Sequence, residues 1–178
     1  MIEDFQSEIQ RRLQPCDNGT TKYHKGKALE DLICFLFEAI PGIIARRNKK
    51  NIFETEEVDI FLWNEFSSAG LPSPAFPPYI LVECKNWSEK VGSSEVSWFN
   101  TKLEDRGLSL GILIATQGIT GNPQRLTDAH FIVAKALSEQ RKIIVITRDD
   151  IEKLTSVSDL VRLLKEKLSD LFLNMTCF

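Results

Sequence analysis

Apolar residues recur at helical spacing at Ile2, Phe5, Ile9 and Leu13 and stop before Pro15, which predicts a short amphipathic helix over residues 2–13. Residues 16–21 are polar, with Asn18-Gly19 as a turn signal. Leu29, Leu32, Ile33, Leu36, Phe37 and Ile40 then mark one face of a long helix over 23–40, closed by Pro41-Gly42. Ile43-Ile44-Ala45 reads as a strand running into the basic stretch 46–50, and Val58–Trp63 as a second strand. Residues 67–78 hold Pro72, Pro74, Pro77 and Pro78, so they read as a loop between two paired strands, long for a hairpin.

The second half alternates. Residues 79–85 form a β-rich apolar run. Ser93 or Ser94 is expected to cap a helix carrying Val96, Phe99 and Leu103, ending near Gly107. Residues 110–116 read as a buried strand, and Gly118 and Gly121 as a turn. Asn122-Pro123 is expected to open a helix with Leu126, Ala129, Val133, Ala136 and Leu137 inward. A strand over 142–147 precedes a helical end with an apolar stripe from Val157 to Phe172. Strands separated by helices predict one α/β domain over 1–178, a central mixed sheet flanked by helices on both faces. Its core spans about 23–150, with an N-terminal helix within 1–16 and a C-terminal helix within 151–178.

Within that pattern one run breaks its own rule. Tyr79-Ile80-Leu81-Val82 should continue apolar or stop, but Glu83 and Lys85 follow. Side chains alternate across a strand, so these two charges share a face, roughly 6–7 Å apart along the backbone. Two charges at the end of a buried strand are costly to desolvate. They mark either a site or a strand that has run out of the core. Asp59 raises a similar question, because it shares a strand face with Phe61 and Trp63 while Val58, Ile60 and Leu62 take the other. If the two strands pair as a hairpin, Asp59 can face the Glu83 side, its register against Glu83 being left open by the sequence, and two close carboxylates repel unless a cation lies between them. Hard oxygen ligands with room for water suit Mg²⁺, with Mn²⁺ as a substitute. Glu30 lies at the border of the apolar stripe of its helix, where a solvated helix face is the default expectation.

Composition bounds the partners. With 43% hydrophobic and 26% charged residues, the chain is that of an ordinary globular protein. No apolar run approaches the length of a membrane span, and Met1-Ile2-Glu3-Asp4 does not resemble a signal peptide. Cys16, Cys34, Cys84 and Cys177 are scattered, with no CxxC pair, as in a reducing, cytoplasmic setting. The net charge of −3 gives no global attraction to nucleic acid, so any such binding must be local.

The ordered set of a helix glutamate, a strand aspartate and a Glu-x-Lys closing the next strand resembles the PD-(D/E)xK nuclease superfamily, its Mrr-type branch most closely. The residues that carry the resemblance are Gly26-Lys27-Ala28-Leu29-Glu30, Val58-Asp59, Glu83-Cys84-Lys85-Asn86-Trp87 and the strand 111–116 with Gly118-Ile119-Thr120. Val58 stands where the superfamily's name has proline. The resemblance implies a restriction-endonuclease-like fold and Mg²⁺-dependent hydrolysis of phosphodiester bonds, in DNA, in defence, repair or mobile-element settings. It implies Asp59, Glu83 and the Cys84 backbone carbonyl as metal ligands, Lys85 at the water or transition state, and Glu30 as an auxiliary catalytic carboxylate for a second metal or a bound water. Cutting both strands usually takes two sites, so a homodimer is expected, with the apolar C-terminal helix as its surface.

Nucleic-acid contacts are expected from Lys27, Arg46, Arg47, Lys49 and Lys50, with Asn86 and Trp87 beside the motif; a solvated basic edge is the competing explanation. His24 and His130 have no partner at metal-ligand spacing and suit surface or cap roles. Cys84 points away from the Glu83 face and suits a small buried hydrophobe. Trp87 and Trp98 suit core packing more than base stacking. Two rival functions remain at this stage. One is a nuclease fold that binds nucleic acid or protein without cutting; the other is a structural Glu83–Lys85 ion pair.

Overall fold

The computed structural model describes residues 4–50 and 57–176, and within these the side chains of all but 48–50 and 57. The side chains of Lys49 and Lys50 therefore lie outside the described residues, as does the first turn of the helix expected from residue 2. The elements run α1 (Phe5–Asn18), α2 (Lys22–Glu38), β1 (Ile43–Lys50), β2 (Glu57–Asn64), β3 (Tyr79–Lys85), α3 (Ser93–Asp105), β4 (Leu110–Ala115), α4 (Asp128–Ser138), β5 (Lys142–Ile146), α5 (Arg148–Glu152) and α6 (Val157–Asn174). The expected α/β mixed sheet forms, with strand order β1-β2-β3-β4-β5. β1, β2 and β3 pair antiparallel, and β3, β4 and β5 pair parallel. β3 is thus the seam between the two halves. Among the described residues no helix is long and apolar enough to cross a membrane.

Parity assigns the faces. Arg47 lies opposite Ile60, and Ile60 opposite Val82, so all three share one side of the sheet. Arg47 pairs there with Glu30 and Asp31 of α2, which places α2 on that side. Leu81 pairs with Gly111 on the other side, under α3. Gly111 is required by that packing: a Cβ there would come within 2.7 Å of Phe99 Cζ and 2.8 Å of Leu103 Cδ1. Without one, α3 settles directly onto the sheet.

Four expectations need correction. Helix α1 does not stop before Pro15 but runs through it to Asn18. Cys16 extends the buried Ile9 and Leu13 stripe, and Asp17 pairs with Arg148 at the start of α5, so tertiary contacts outweigh the lost backbone bond. Helix α3 takes Gly92, not a serine, as its N-cap, and no side chain caps it. Helix α4 begins at Asp128, not Pro123. Asn122 Oδ1 accepts from Arg125 N at 2.9 Å and Thr127 Oγ1 from Asn122 N at 2.9 Å, closing a local turn that competes with helix. Finally Trp87 and Trp98 are not core residues; they are 42% and 55% exposed.

Candidate active site

Strand β3 is fully buried from Ile80 to Val82. Past Val82 the ladder with β2 has ended, and β4 alone continues to pair with Glu83, Cys84 and Lys85. Thr116, just past β4, donates from Oγ1 to the Lys85 and Trp87 carbonyls at 3.3 and 3.0 Å. The following loop is pinned by Val91 N to the Gly118 carbonyl and Thr120 N to the Val91 carbonyl, both 2.9 Å. Charged side chains at this strand end are therefore presented from a fixed backbone.

The register of β2 against β3 puts Ile60 opposite Val82. One step further along each strand come Asp59 and Glu83, so the two carboxylates project from facing positions on the same side. Asp59 Oδ2 accepts from the Cys84 backbone N–H at 2.8 Å, which ties it to the strand that carries Glu83. Burial, then the charge of Glu83, pushes the Asp59 carboxyl up to about 6, against the lowering effect of the Cys84 N–H.

Glu83 is 5% exposed and held at both oxygens. Lys85 Nζ donates to Oε1 at 2.9 Å and Lys102 Nζ to Oε2 at 2.8 Å. Burial pulls Lys85 down, but the charge and hydrogen bond of Glu83 leave it above its ordinary value, so it is a firmly charged ammonium. Its Nζ lies 5.6 Å from the Trp87 ring centre. The Cys84 thiol faces the α2 side, where burial raises it well above its ordinary value; it is a packing residue, not a nucleophile.

Glu30 approaches from α2. Its Oε2 accepts from Lys27 Nζ at 2.9 Å and Arg47 Nη2 at 3.1 Å, and its charge contributes to the rise at Asp59. The structure therefore brings Asp59, Glu83 and Lys85 into one cluster and sets Glu30 behind it with its own cations. The remaining residues divide. Arg46 is exposed, on the same side as Phe61 and Asp59, and Trp87 flanks Lys85. Arg47 and Lys27 are engaged with Glu30. Asn86 Nδ2 donates to the Cys16 and Lys25 carbonyls at 2.9 and 3.1 Å, clamping the strand end onto α1 and α2. His130 departs from its expected surface role: it is buried, with Nδ1 2.7 Å from Thr176 Oγ1.

Lys102 is the residue that sequence reasoning missed. The signal was present, since Lys102 follows Phe99 by three residues and so borders the apolar stripe of α3. A lysine at the edge of an inward stripe asks for a buried partner.

Asp59 and Glu83 offer hard carboxylate oxygens, and the Asp59 carboxyl, raised by burial and then by the charge of Glu83, lies in a setting that a cation would relieve. The donor set therefore fits a small divalent ion. Among the described residues no three His, Cys, Asp or Glu side chains converge as a ready cluster. Two carboxylates, a backbone carbonyl and water are what the site could supply.

The chain matches a family model described as Restriction endonuclease, the Mrr_cat domain, over residues 23–155. No curated protein matches the chain.

Proposed function

Because the chain belongs to the Mrr-type restriction endonuclease family, within the PD-(D/E)xK superfamily, we propose that it is a Mg²⁺-dependent endonuclease that hydrolyses phosphodiester bonds in DNA. The observation that supports this is the β2–β3 register ending at Ile60 opposite Val82, one residue short of Asp59 and Glu83, with Asp59 on the Cys84 N–H and Lys85 bonded to Glu83. Asp59, Glu83 and the Cys84 carbonyl would hold the ion. When bound, such an ion supplies Lewis-acid polarisation of the phosphate and a water of lowered pKa. The Cys84 N–H fixes the orientation of the Asp59 carboxylate. Lys85, charged and partly open to solvent, is placed to steady charge building on the phosphate or to orient the attacking water. Glu30, held by Lys27 and Arg47, adds negative potential at Asp59 without occupying the same carboxylate pair. Arg46 and Trp87 are open to a DNA strand passing the site, by phosphate contact and stacking respectively.

A second reading, a fold that binds DNA without cutting, draws support from the full engagement of Glu83 by two lysines. One incubation separates the two. Purified protein is mixed with supercoiled, linear, branched and single-stranded DNA, with Mg²⁺ or Mn²⁺ and with chelator. Cutting that needs the ion and is lost in Glu83→Ala and Lys85→Ala supports the endonuclease. Binding without cutting, together with no ion uptake by calorimetry, would sink it.

A further inference from the structure

Nothing in the motif that marks this family calls for the second ammonium on Glu83. Lys102 arrives from α3, a separate element, and its side chain is 6% exposed against 22% for Lys85. The two lysines hold different oxygens of one carboxylate, Lys85 on Oε1 and Lys102 on Oε2. One is partly open to solvent and the other is buried. The inward lysine reaches its target because Gly111 lets Phe99 and Leu103 seat α3 directly on the sheet. A glycine in a buried strand and a lysine on a helix are thus parts of one arrangement.

Charge counting gives the arrangement a use. Asp59 and Glu83 together carry two negative charges, and Lys85 and Lys102 two positive ones. The four groups are balanced before any ion arrives, so Glu83 can be buried without unfolding the strand end. A divalent ion would then leave the loaded site with an excess of two positive charges. Hydroxide attack on a phosphodiester monoanion gives a transition state carrying two negative charges. With Lys85 as the sole ammonium, the excess would be one. Lys102 is also placed to stay on Oε2 when Oε1 is taken, so Lys85 can leave for the phosphate while Glu83 remains fixed.

We infer that Lys102 is a positioning residue of the proposed endonuclease, a buried counter-ion that holds Glu83 by Oε2 and supplies the second unit of positive charge to the loaded site. This rests on the endonuclease reading above. Lys102 competes electrostatically with the ion while assisting the reaction, so its removal has effects of opposite sign.

The test is Lys102→Met in the full chain, with two readouts. Calorimetry with Mg²⁺ alone is expected to show binding about tenfold tighter, since a nearby like charge is gone. Steady-state cleavage is expected to show kcat about a hundredfold lower with KM for DNA within about twofold, because Lys102 is buried away from substrate. A merely structural ion pair predicts weaker ion binding and slower cutting together, and that parallel loss overturns the proposal, as does an unchanged kcat. Lys102→Gln keeps a donor for Oε2 without the charge and replaces the methionine variant if the latter does not fold, with the same split expected. Failure of both variants to fold also overturns it, in favour of a purely structural pair. If wild-type protein cuts DNA and the split is absent, only this inference falls. If wild-type protein cuts nothing, the endonuclease reading falls, while the Mg²⁺ titration still reports on Lys102.

Discussion

Among the described residues two buried lysines, Lys102 and Lys167, pair with carboxylates, and the two pairs are built differently. Lys167 on α6 meets Asp150 on α5 at 3.0 Å, with Lys167 4% exposed. Asp150 Oδ2 also accepts from Thr147 N at 2.8 Å and Thr147 Oγ1 at 2.9 Å, as half of the capping box that opens α5. One carboxylate meets donors of a helix terminus, and its geometry is complete. Lys102–Glu83 has a similar distance, but its carboxylate is 6% exposed against 18% for Asp150, and a second carboxylate, Asp59, lies on the neighbouring strand and is pushed up to about 6 by burial and then by Glu83. The difference is frustration. Asp150 is a single carboxylate among its donors, whereas Glu83, though matched by two lysines, stands beside a second carboxylate that its charge pushes up.

The sharpest way to break the comparison is to remove the carboxylate from each pair. Glu83→Ala is expected to lower cleavage by at least about a thousandfold. Asp150→Ala is expected to leave kcat within about threefold and to lower stability by about 3 kcal/mol, from the lost ion pair with Lys167 and a lost cap. Cleavage assays and chemical denaturation read both. Equal loss of cleavage in the two variants would erase the distinction.

Asp59→Asn addresses the repulsion directly. The folded Asp59 holds its proton up to about 6, whereas an unfolded aspartate releases it near 3.8, so between these values the native state binds more protons than the unfolded chain. Stability therefore falls as pH rises from about 4 to about 6, and the penalty stays above that range. In metal-free buffer at pH 8, Asp59→Asn is expected to be more stable than wild type by about 2 kcal/mol, with the gap closing near pH 4. It is also expected to be inactive. Denaturant midpoints measured across pH decide it, and a wild type that gains stability toward pH 8 relative to the variant would refute the account.

Gly111→Ala should cost about 1–3 kcal/mol by overpacking against Phe99 and Leu103. Because α3 must shift, it should also loosen Lys102 from Glu83 and depress kcat. The smallest effect is expected at Arg46, which makes no ion pair among the described residues. Arg46→Ala should leave stability unchanged and reduce the salt dependence of DNA binding by about one phosphate contact.

The sheet was legible because β2, β3 and β4 are short apolar runs bounded by turn residues, and Asp59, Glu83 and Lys85 stood out as charges against them. Asp59's register against Glu83 was not legible from either strand, since it is set across the loop 65–78. Lys102 needed the docking of α3 on Gly111, a tertiary fact invisible to helical periodicity. The start of α4 was hidden for another reason: Asn122-Pro123 carries good opening chemistry, but Asn122 and Thr127 spend it on a closed turn. The exposed Trp98 departs from composition-based expectation because it falls off the Val96, Phe99 and Leu103 stripe.

The strand order β1-β2-β3-β4-β5 has a kinetic consequence. Every ladder joins strands that are consecutive in the chain, so loop closure for each pairing is as short as this fold permits. The carboxylates of Asp59 and Glu83 come together at the β2–β3 ladder, which needs neither β4 nor β5. Repulsion between them is thus met early in folding, before Lys102 arrives on α3. A neutral Asp59 should then speed folding as well as stabilise the native state. Stopped-flow refolding of Asp59→Asn at pH 8 measures this, and an unchanged folding rate with a slower unfolding rate would place the repulsion after the transition state instead.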